Sequence, residues 1–392
     1  MISDKYIVIP EKIRKSHREV FQAQKEKHIF GFLRKFLKWL EDDNKSYNKM
    51  VLFENPLKMN DNARYNKEFN QLIHDFLQNV IYKDYSDKKQ GKRFKGEAHT
   101  FIGVGYEFGM FTLPKNAQKA YENYNVAAQL SNAMGTFKLA QCFEKGSGVS
   151  QSNETALSFY RCAAKLGLVD ALHTYGMITY HGFVGSPKDQ NTGYYYMKVA
   201  AKKADKLCPY PLYDLGLFYE SGGNECGVSE DFVYALENFE RGAQLGDPNC
   251  KFKLAQAYEF GDLKLKKNKS KSLELYKSAA ESGSVEAQFY ISECYLSGKT
   301  KQLNRNYFKS YKWAIQGAIK GHPSCAYKCG ESAMTGTGTD ANVLDALFWY
   351  EIAKVFGHGD ADQKIKELNY KINKENVGPE WPEPCCCCLF GG

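Results

Sequence analysis

Apolar positions between residues 98 and 357 fall into two alternating blocks, each spaced like one face of a helix. The first block reads GTFKLAQCFEKG over 135–146 and CKFKLAQAYEFG over 250–261, with related copies at 101–109, 173–182, 213–222, 289–298 and 329–336. Each copy closes on a glycine, namely Gly109, Gly146, Gly182, Gly222, Gly261, Gly298 and Gly336, at intervals of 37, 36, 40, 39, 37 and 38 residues. The second block, as in SFYRCAAKLG (158–167) and ELYKSAAESG (274–283), carries a small residue at Ala127, Ala163, Ala200, Gly242, Ala279, Gly317 and Ala353. Seven residues before each of these stands a second small column: Ala120, Ala156, Gly193, Ala235, Ser272, Ser310 and Ala346. Positions i and i+7 share one helix face, so the two columns predict helices in close approach. An aromatic three or four residues ahead of the small pair (Tyr124, Tyr160, Phe239, Tyr276, Trp313, Trp349, Tyr350) is placed to fill the space beside them. The glycine closing the first block suits a left-handed helix C-cap. One such hairpin cannot bury its apolar face alone, whereas stacked copies can. The prediction is an all-α fold: an α-solenoid of about seven helix-hairpin repeats with N- and C-terminal capping helices.

The flanks divide into further segments. Residues 1–95 read as a basic helical N-terminal segment. Within it, 28–40 is strongly amphipathic, with Ile29, Phe32, Leu33, Phe36, Leu37 and Leu40 opposite Arg34, Lys35 and Lys38. That helix either docks on the solenoid or lies in a membrane interface. A second helix is expected over 62–82, its apolar side formed by Phe69, Leu72, Ile73, Phe76, Leu77 and Val80. The stretch 83–95, KDYSDKKQGKRFK, reads as an exposed linker. Seven repeats occupy 96–357, a capping helix lies within 358–375, and 376–392 is a flexible, cysteine-rich tail. The longer connection from Lys202 to Leu212, with Pro209 and Pro211, is a candidate bend.

Composition alters this picture in two places. The net charge of +8 lies wholly before residue 96, where 21 Lys and Arg stand against 13 Asp and Glu; the remainder holds 32 of each. A neutral repeat body argues against a nucleic-acid groove along it, while a basic N-terminal segment suits an acidic partner or an anionic membrane. Of twelve cysteines, eight are scattered and four are consecutive, Cys385, Cys386, Cys387 and Cys388. Residues 1–10 make a poor signal peptide, so free thiols in a reducing compartment are expected. Adjacent cysteines on an extended tail after VGPEWPEP are candidates for S-palmitoylation, the alternatives being an unmodified tail or a metal clamp. The closing LFGG is not a prenylation box.

Catalytic signatures are missing: there is no P-loop, G-x-S-x-G, H-E-x-x-H or paired C-x-x-C. Cys325 and Cys329, near His322, read as core in the seventh repeat rather than as half of a metal site. His173 and His181 have no evident partners in the sequence. Glu107, Glu144, Glu220 and Glu259 form an acidic column two residues before the closing glycine, read as solvated or inter-helix rather than as ligand-binding. No catalytic, cofactor-binding or metal-binding residue and no cofactor is assigned.

The repeated residues resemble the Sel-one-like repeat family, whose pattern is A-x-x-x-L-G-x-x-Y-x-x-G, a loop, then A-x-x-W/F-Y-x-x-A-A-x-x-G. The match spans 98–357; it departs at Thr179 in the third copy, at Ser292 in the sixth, and at Ala333 and Lys354 in the seventh. The resemblance implies a non-enzymatic protein-interaction scaffold whose concave face takes a protein or an extended peptide. Within the family, the chain looks like the chitin-synthase-activator branch of fungi and their relatives. That implies a cytoplasmic adaptor, tethered to a membrane through its C-terminal cysteines, that recruits or activates a membrane enzyme, with protein partners, peripheral membrane contact and no nucleic acid. The family offers two other readings: an adaptor subunit of an endoplasmic-reticulum ubiquitin-ligase complex, and a β-lactam-binding, cysteine-rich repeat enzyme with a disulfide in each repeat. The scattered cysteines do not recur in register, which counts against the latter.

Overall fold

The structure, a computed structural model, describes residues 62–84, 88–222, 226–298 and 303–374. Among these residues there are sixteen helices and the fold is all-α. The chain divides into two compact units at Pro211/Leu212, within the proline-bearing connection. The amphipathic 28–40 segment and the tail from 376 onward, with Cys385–Cys388, lie outside the described residues.

The first unit holds α1 (Asn62–Tyr82), α2 (Lys88–Phe108), α3 (Ala117–Gln129), α4 (Ala133–Lys145), α5 (Asn153–Lys165), α6 (Val169–His181) and α7 (Gln190–Lys203). The second holds α8 (Pro211–Ser221), α9 (Phe232–Leu245), α10 (Pro248–Phe260), α11 (Lys269–Ser282), α12 (Val285–Ser297), α13 (Tyr307–Ile319), α14 (Pro323–Thr335), α15 (Val343–Val355) and α16 (Ala361–Lys374). From α2 to α15 the helices pair as seven hairpins, each a short solenoid element stacked on its sequence neighbours within its unit.

Local sequence sets the ends of these helices. Every second helix of a hairpin starts after an Asn, Asp or Ser in extended conformation whose side chain accepts a backbone N–H of the first turn: Asn116, Ser152, Asp189, Asp231, Asn268, Asn306 and Asn342. First helices end on glycines in left-handed conformation, and Gly146, Gly182, Gly261, Gly298 and Gly336 each donate back into the preceding turn. Gly109 and Gly222 share that conformation.

The small columns are buried. Ala156, Ala163, Ala200, Ala235, Ala279, Ala346 and Ala353 expose none of their surface, and Ala127 likewise. Opposite them a second correspondence runs through the hairpins. The residue six before each closing glycine faces the aromatic column of the second helix. A Cβ on Gly103 would lie 2.5 Å from the Tyr124 ring, one on Gly216 2.5 Å from Phe239, and one on Gly330 2.7 Å from Tyr350. Where the aromatic gives way to Ala314 in the sixth repeat, the facing residue is Ser292, whose hydroxyl donates to Ser310 O at 2.9 Å. The departure at Ser292 is therefore matched by its partner.

Two flanking regions join this core. In α1, Ile73, Leu77 and Val80 pack with Phe94, Phe101 and Phe111, and Asn70 accepts the backbone N–H of Phe111. Residues 88–95 are not an exposed linker: they form the first two turns of α2, with Gly91 and Phe94 buried. At the other end Ile365 and Leu368 of α16 pack with Ala346, Leu347 and Tyr350 of α15. The departure at Lys354 belongs to this junction, since its ammonium lies 2.8 Å from Asp362 of α16.

Candidate functional site

The first helices of successive hairpins are tied to each other, and to their own second helices, through the acidic column. Glu107 accepts the Tyr124 hydroxyl at 2.5 Å, Glu144 accepts that of Tyr160, and Glu259 accepts that of Tyr276 at 2.7 Å. In each case a second-helix tyrosine reaches the acid of its own first helix. Burial first, then the neighbouring carboxylate, pushes the Tyr160 and Tyr276 hydroxyls well above the ordinary phenol range, so both stay protonated donors. In the fourth repeat the aromatic is Phe239, which has no hydroxyl, and Glu220 pairs with Lys253 at 2.9 Å. The tyrosine–acid bond and the aromatic column thus vary together.

The same acids reach across to the next repeat. Lys138 of α4 lies 4.0 Å from Glu107 of α2, and Tyr290 of α12 donates to Glu259 of α10 at 3.0 Å. Outside the column, Lys328 of α14 makes a similar inter-repeat bridge, to Glu293 of α12 at 3.1 Å and to Glu331 at 3.2 Å. The acidic column is an inter-helix and inter-repeat ladder, with its carboxylates committed to protein donors.

The sequence-predicted cysteines and histidines scatter through this framework. Cys325 and Cys329 are fully buried; burial raises the Cys325 thiol to about 12 and raises that of Cys329 further, so neither is a thiolate. Cys325 packs against Gly317, where there is no room for a side chain. His322 caps α14, its Nδ1 accepting from Cys325 N, and stacks on Phe289 with ring centroids 5.2 Å apart. Burial lowers its pKa, which keeps that nitrogen an acceptor. His173 meets Tyr210 edge-on, and His181 stacks on Phe183. The described cysteines are all free, and no cluster of metal-ligating side chains occurs among the described residues. The Tyr–Glu pairing across the first, second and fifth hairpins was not read from the sequence, although both columns were.

With this geometry in place, comparison with known proteins is direct. The Sel1 repeat matches residues 96–132, 133–168, 169–205, 212–247, 248–284, 285–322 and 323–354, and the chain belongs to that family. Among curated relatives, it is 27% identical to the chitin synthase regulator SKT5 of Saccharomyces cerevisiae over 73% of this chain and 40% of the regulator. It is 26% identical to chitin synthase regulatory factor 3 of Schizosaccharomyces pombe, over 82% of this chain and 34% of that protein. Chitin synthase regulatory factor 2 of the same yeast is 29% identical over 59% of this chain and 46% of that protein. The chain thus spans less than half the length of these relatives. A crystal structure of a Sel1 repeat protein from Oxalobacter formigenes superposes with a TM-score of 0.54 at 22% identity, covering 78% of this chain and 88% of the other, a likeness of fold. No helix among the described residues is long and apolar enough to cross a membrane.

Proposed function

We propose that the chain is a non-catalytic scaffold that recruits or activates a membrane enzyme such as a chitin synthase. The observation that carries this is the alignment with chitin synthase regulators along 73% and 82% of the chain, through the repeats themselves. Within each unit, hairpins bonded repeat to repeat suit the role, because they hold a docking surface in a fixed shape. The tail adds a second element: Cys385–Cys388 take acyl chains and keep the scaffold at the bilayer where its partner resides.

Each element has its own test. Affinity purification of the full chain from detergent-solubilised membranes of its native cells should recover a chitin synthase. Recovery of ubiquitin-ligase components without the synthase would replace this reading with the degradation-adaptor one. Membrane fractionation should depend on the tail, so that serine at all four of Cys385–Cys388 shifts the chain toward the soluble fraction. An unchanged distribution would remove acylation from the account while leaving the scaffold role standing.

A further inference from the structure

Along one edge of each unit the loop joining the two helices of a hairpin alternates with the start of the second helix before it. Gly148 lies against the carbonyl of Ala117, Gly338 against that of Tyr307, and the Lys264 ammonium 5.7 Å over the Phe232 ring. Ala117, Phe232 and Tyr307 each open a second helix, so the register is the same in all three. In the fifth and sixth repeats this edge is strongly basic. Lys264, Lys266, Lys267, Lys269 and Lys271 are all exposed, with Asp262 as the one carboxylate of that loop. Arg305 and Lys309 continue the edge, and Leu303 anchors the sixth loop in the core cluster beside Leu273 of the fifth repeat. Among the described residues, none of these seven cations has a carboxylate within 4.0 Å.

The backbone of the loop does not require this charge. The loop of the first repeat has the same backbone, with consecutive residues at positive φ (Phe111 and Thr112, as Leu263 and Lys264) and the same bonds, Leu113 N to Met110 O and Leu265 N to Asp262 O. There Thr112, Pro114 and Lys115 stand where the fifth repeat has Lys264, Lys266 and Lys267. Lys269, Lys271 and Lys309 lie in the first turns of α11 and α13, where cations oppose the helix dipole. Lys271 nonetheless donates to the Tyr258 hydroxyl at 2.6 Å, and Lys309 stands over the Tyr295 ring as Lys119 does over Tyr106, so these two also serve the repeat, whereas Lys266, Lys267 and Lys269 do not. The flanking stretches carry the opposite sign: Glu230 and Asp231 in the fourth repeat, Asp340 in the seventh loop and Asp345 in the first turn of α15. The basic footprint is bounded on both sides.

Large apolar side chains stand on the same edge. Phe308 is 68% exposed, Phe260 56% and Tyr307 43%, with Val233 next along at 58%. Exposed aromatic rings among lysines that have no carboxylate beside them match a bilayer interface, where rings enter the headgroup region and ammonium groups meet anionic phosphates. An acidic polypeptide would satisfy the lysines and leave the rings in water.

We propose that the loop edge of the fifth and sixth repeats binds an anionic membrane surface, its lysines against the headgroups and Phe260, Tyr307 and Phe308 among them. The proposal is independent of the chitin synthase reading and of the tail. Its test is sedimentation of the full chain, with Ser at Cys385–Cys388 in every arm, on phosphatidylcholine vesicles with and without phosphatidylserine. Binding is expected only to the phosphatidylserine vesicles and should weaken as salt screens it. Affinity should fall about fivefold for each of Lys264, Lys266, Lys267, Lys269 and Lys271 replaced by Gln, from the typical contribution of a basic residue at an anionic surface. Thermal unfolding serves as the folding control: Gln at Lys264, Lys266, Lys267 and Lys269 should show no loss, whereas Lys271→Gln gives up its bond to Tyr258 and is assayed below its own midpoint. Phe260→Ser with Phe308→Ser, which keeps every charge, should also weaken binding. A parent chain that ignores phosphatidylserine vesicles, a five-Gln variant that binds them unchanged, or binding to soluble polyglutamate in place of vesicles would overturn the proposal.

Discussion

Tyr276→Ala is expected to destabilise the second unit by about 4 kcal/mol, the usual range for deleting a large buried aromatic. Three interactions leave with the ring. It stacks on Tyr290 at 3.8 Å between centroids, meets Phe252 edge-on at 5.5 Å, and donates its hydroxyl to Glu259 at 2.7 Å. The side chain is 2% exposed, wedged between Ala255 and the core formed by Leu273, Ile291 and Leu303, so the cavity would be lined from three helices and the sixth loop. Tyr276→Phe separates packing from hydrogen bonding: it keeps the ring and should cost about 1 kcal/mol. Glu259 then still holds Tyr290 through its other oxygen, at 3.0 Å, so the acid is not stranded. Because a solenoid is stabilised by nearest-neighbour interfaces, the damage should be local. Hydrogen exchange should accelerate in α10, α11 and α12 while amides of α3–α6 keep their protection. A ΔΔG under 1 kcal/mol for the alanine variant, or uniform deprotection of both units, would show that the tyrosine column does not hold the hairpins together.

The repeat was legible because its physical demands are local and recur at a fixed interval. A closing glycine, a small residue where helices approach and an aromatic one turn earlier can each be seen without knowing the fold. The tyrosine–acid bonds were not legible, since Tyr160 and Glu144 stand on different helices and meet only once the hairpin's register is fixed. Glu220, whose repeat has Phe239 in place of tyrosine, keeps the cross-repeat lysine, Lys253, which matches Lys138 on Glu107.

Residues 88–95 were misread for a different reason. KKQGKRFK carries one large apolar side chain, Phe94, and its helical spacing continues only in Ala98, Phe101 and Ile102, within what reads as the first repeat. Charge density and a glycine outweighed a pattern that the segment itself hardly contains. The basic edge of the fifth and sixth repeats was hidden by averaging, because a body with equal numbers of acids and bases still concentrates seven cations on two neighbouring loops and the helix starts that follow them.

Gly193→Leu should destabilise the first unit by about 3 kcal/mol or more, above the middle of the range for overpacking. The third hairpin departs from the family pattern at Thr179, and its helices explain why. A Cβ on Gly193 would lie 2.5 Å from the backbone nitrogen of Tyr180, and one on Gly176 3.0 Å from the Gly193 carbonyl. Here α6 and α7 cross backbone to backbone, with Met197 filling the place that an aromatic takes in most other repeats, and Thr179 is buried at the crossing. A tyrosine at that position would hold the helices apart. At Gly103 or Gly330 the obstacle is a tyrosine ring, which can shift on its own rotamer; at Gly193 it is main chain, which yields only if the whole helix moves. Even Gly193→Ala should therefore be destabilising, although alanine favours helix over glycine by about 1 kcal/mol at an unconstrained site. Urea unfolding of the full chain, followed by a probe in the first unit, measures it. An alanine variant as stable as the parent would mean that α6 and α7 do not cross this closely.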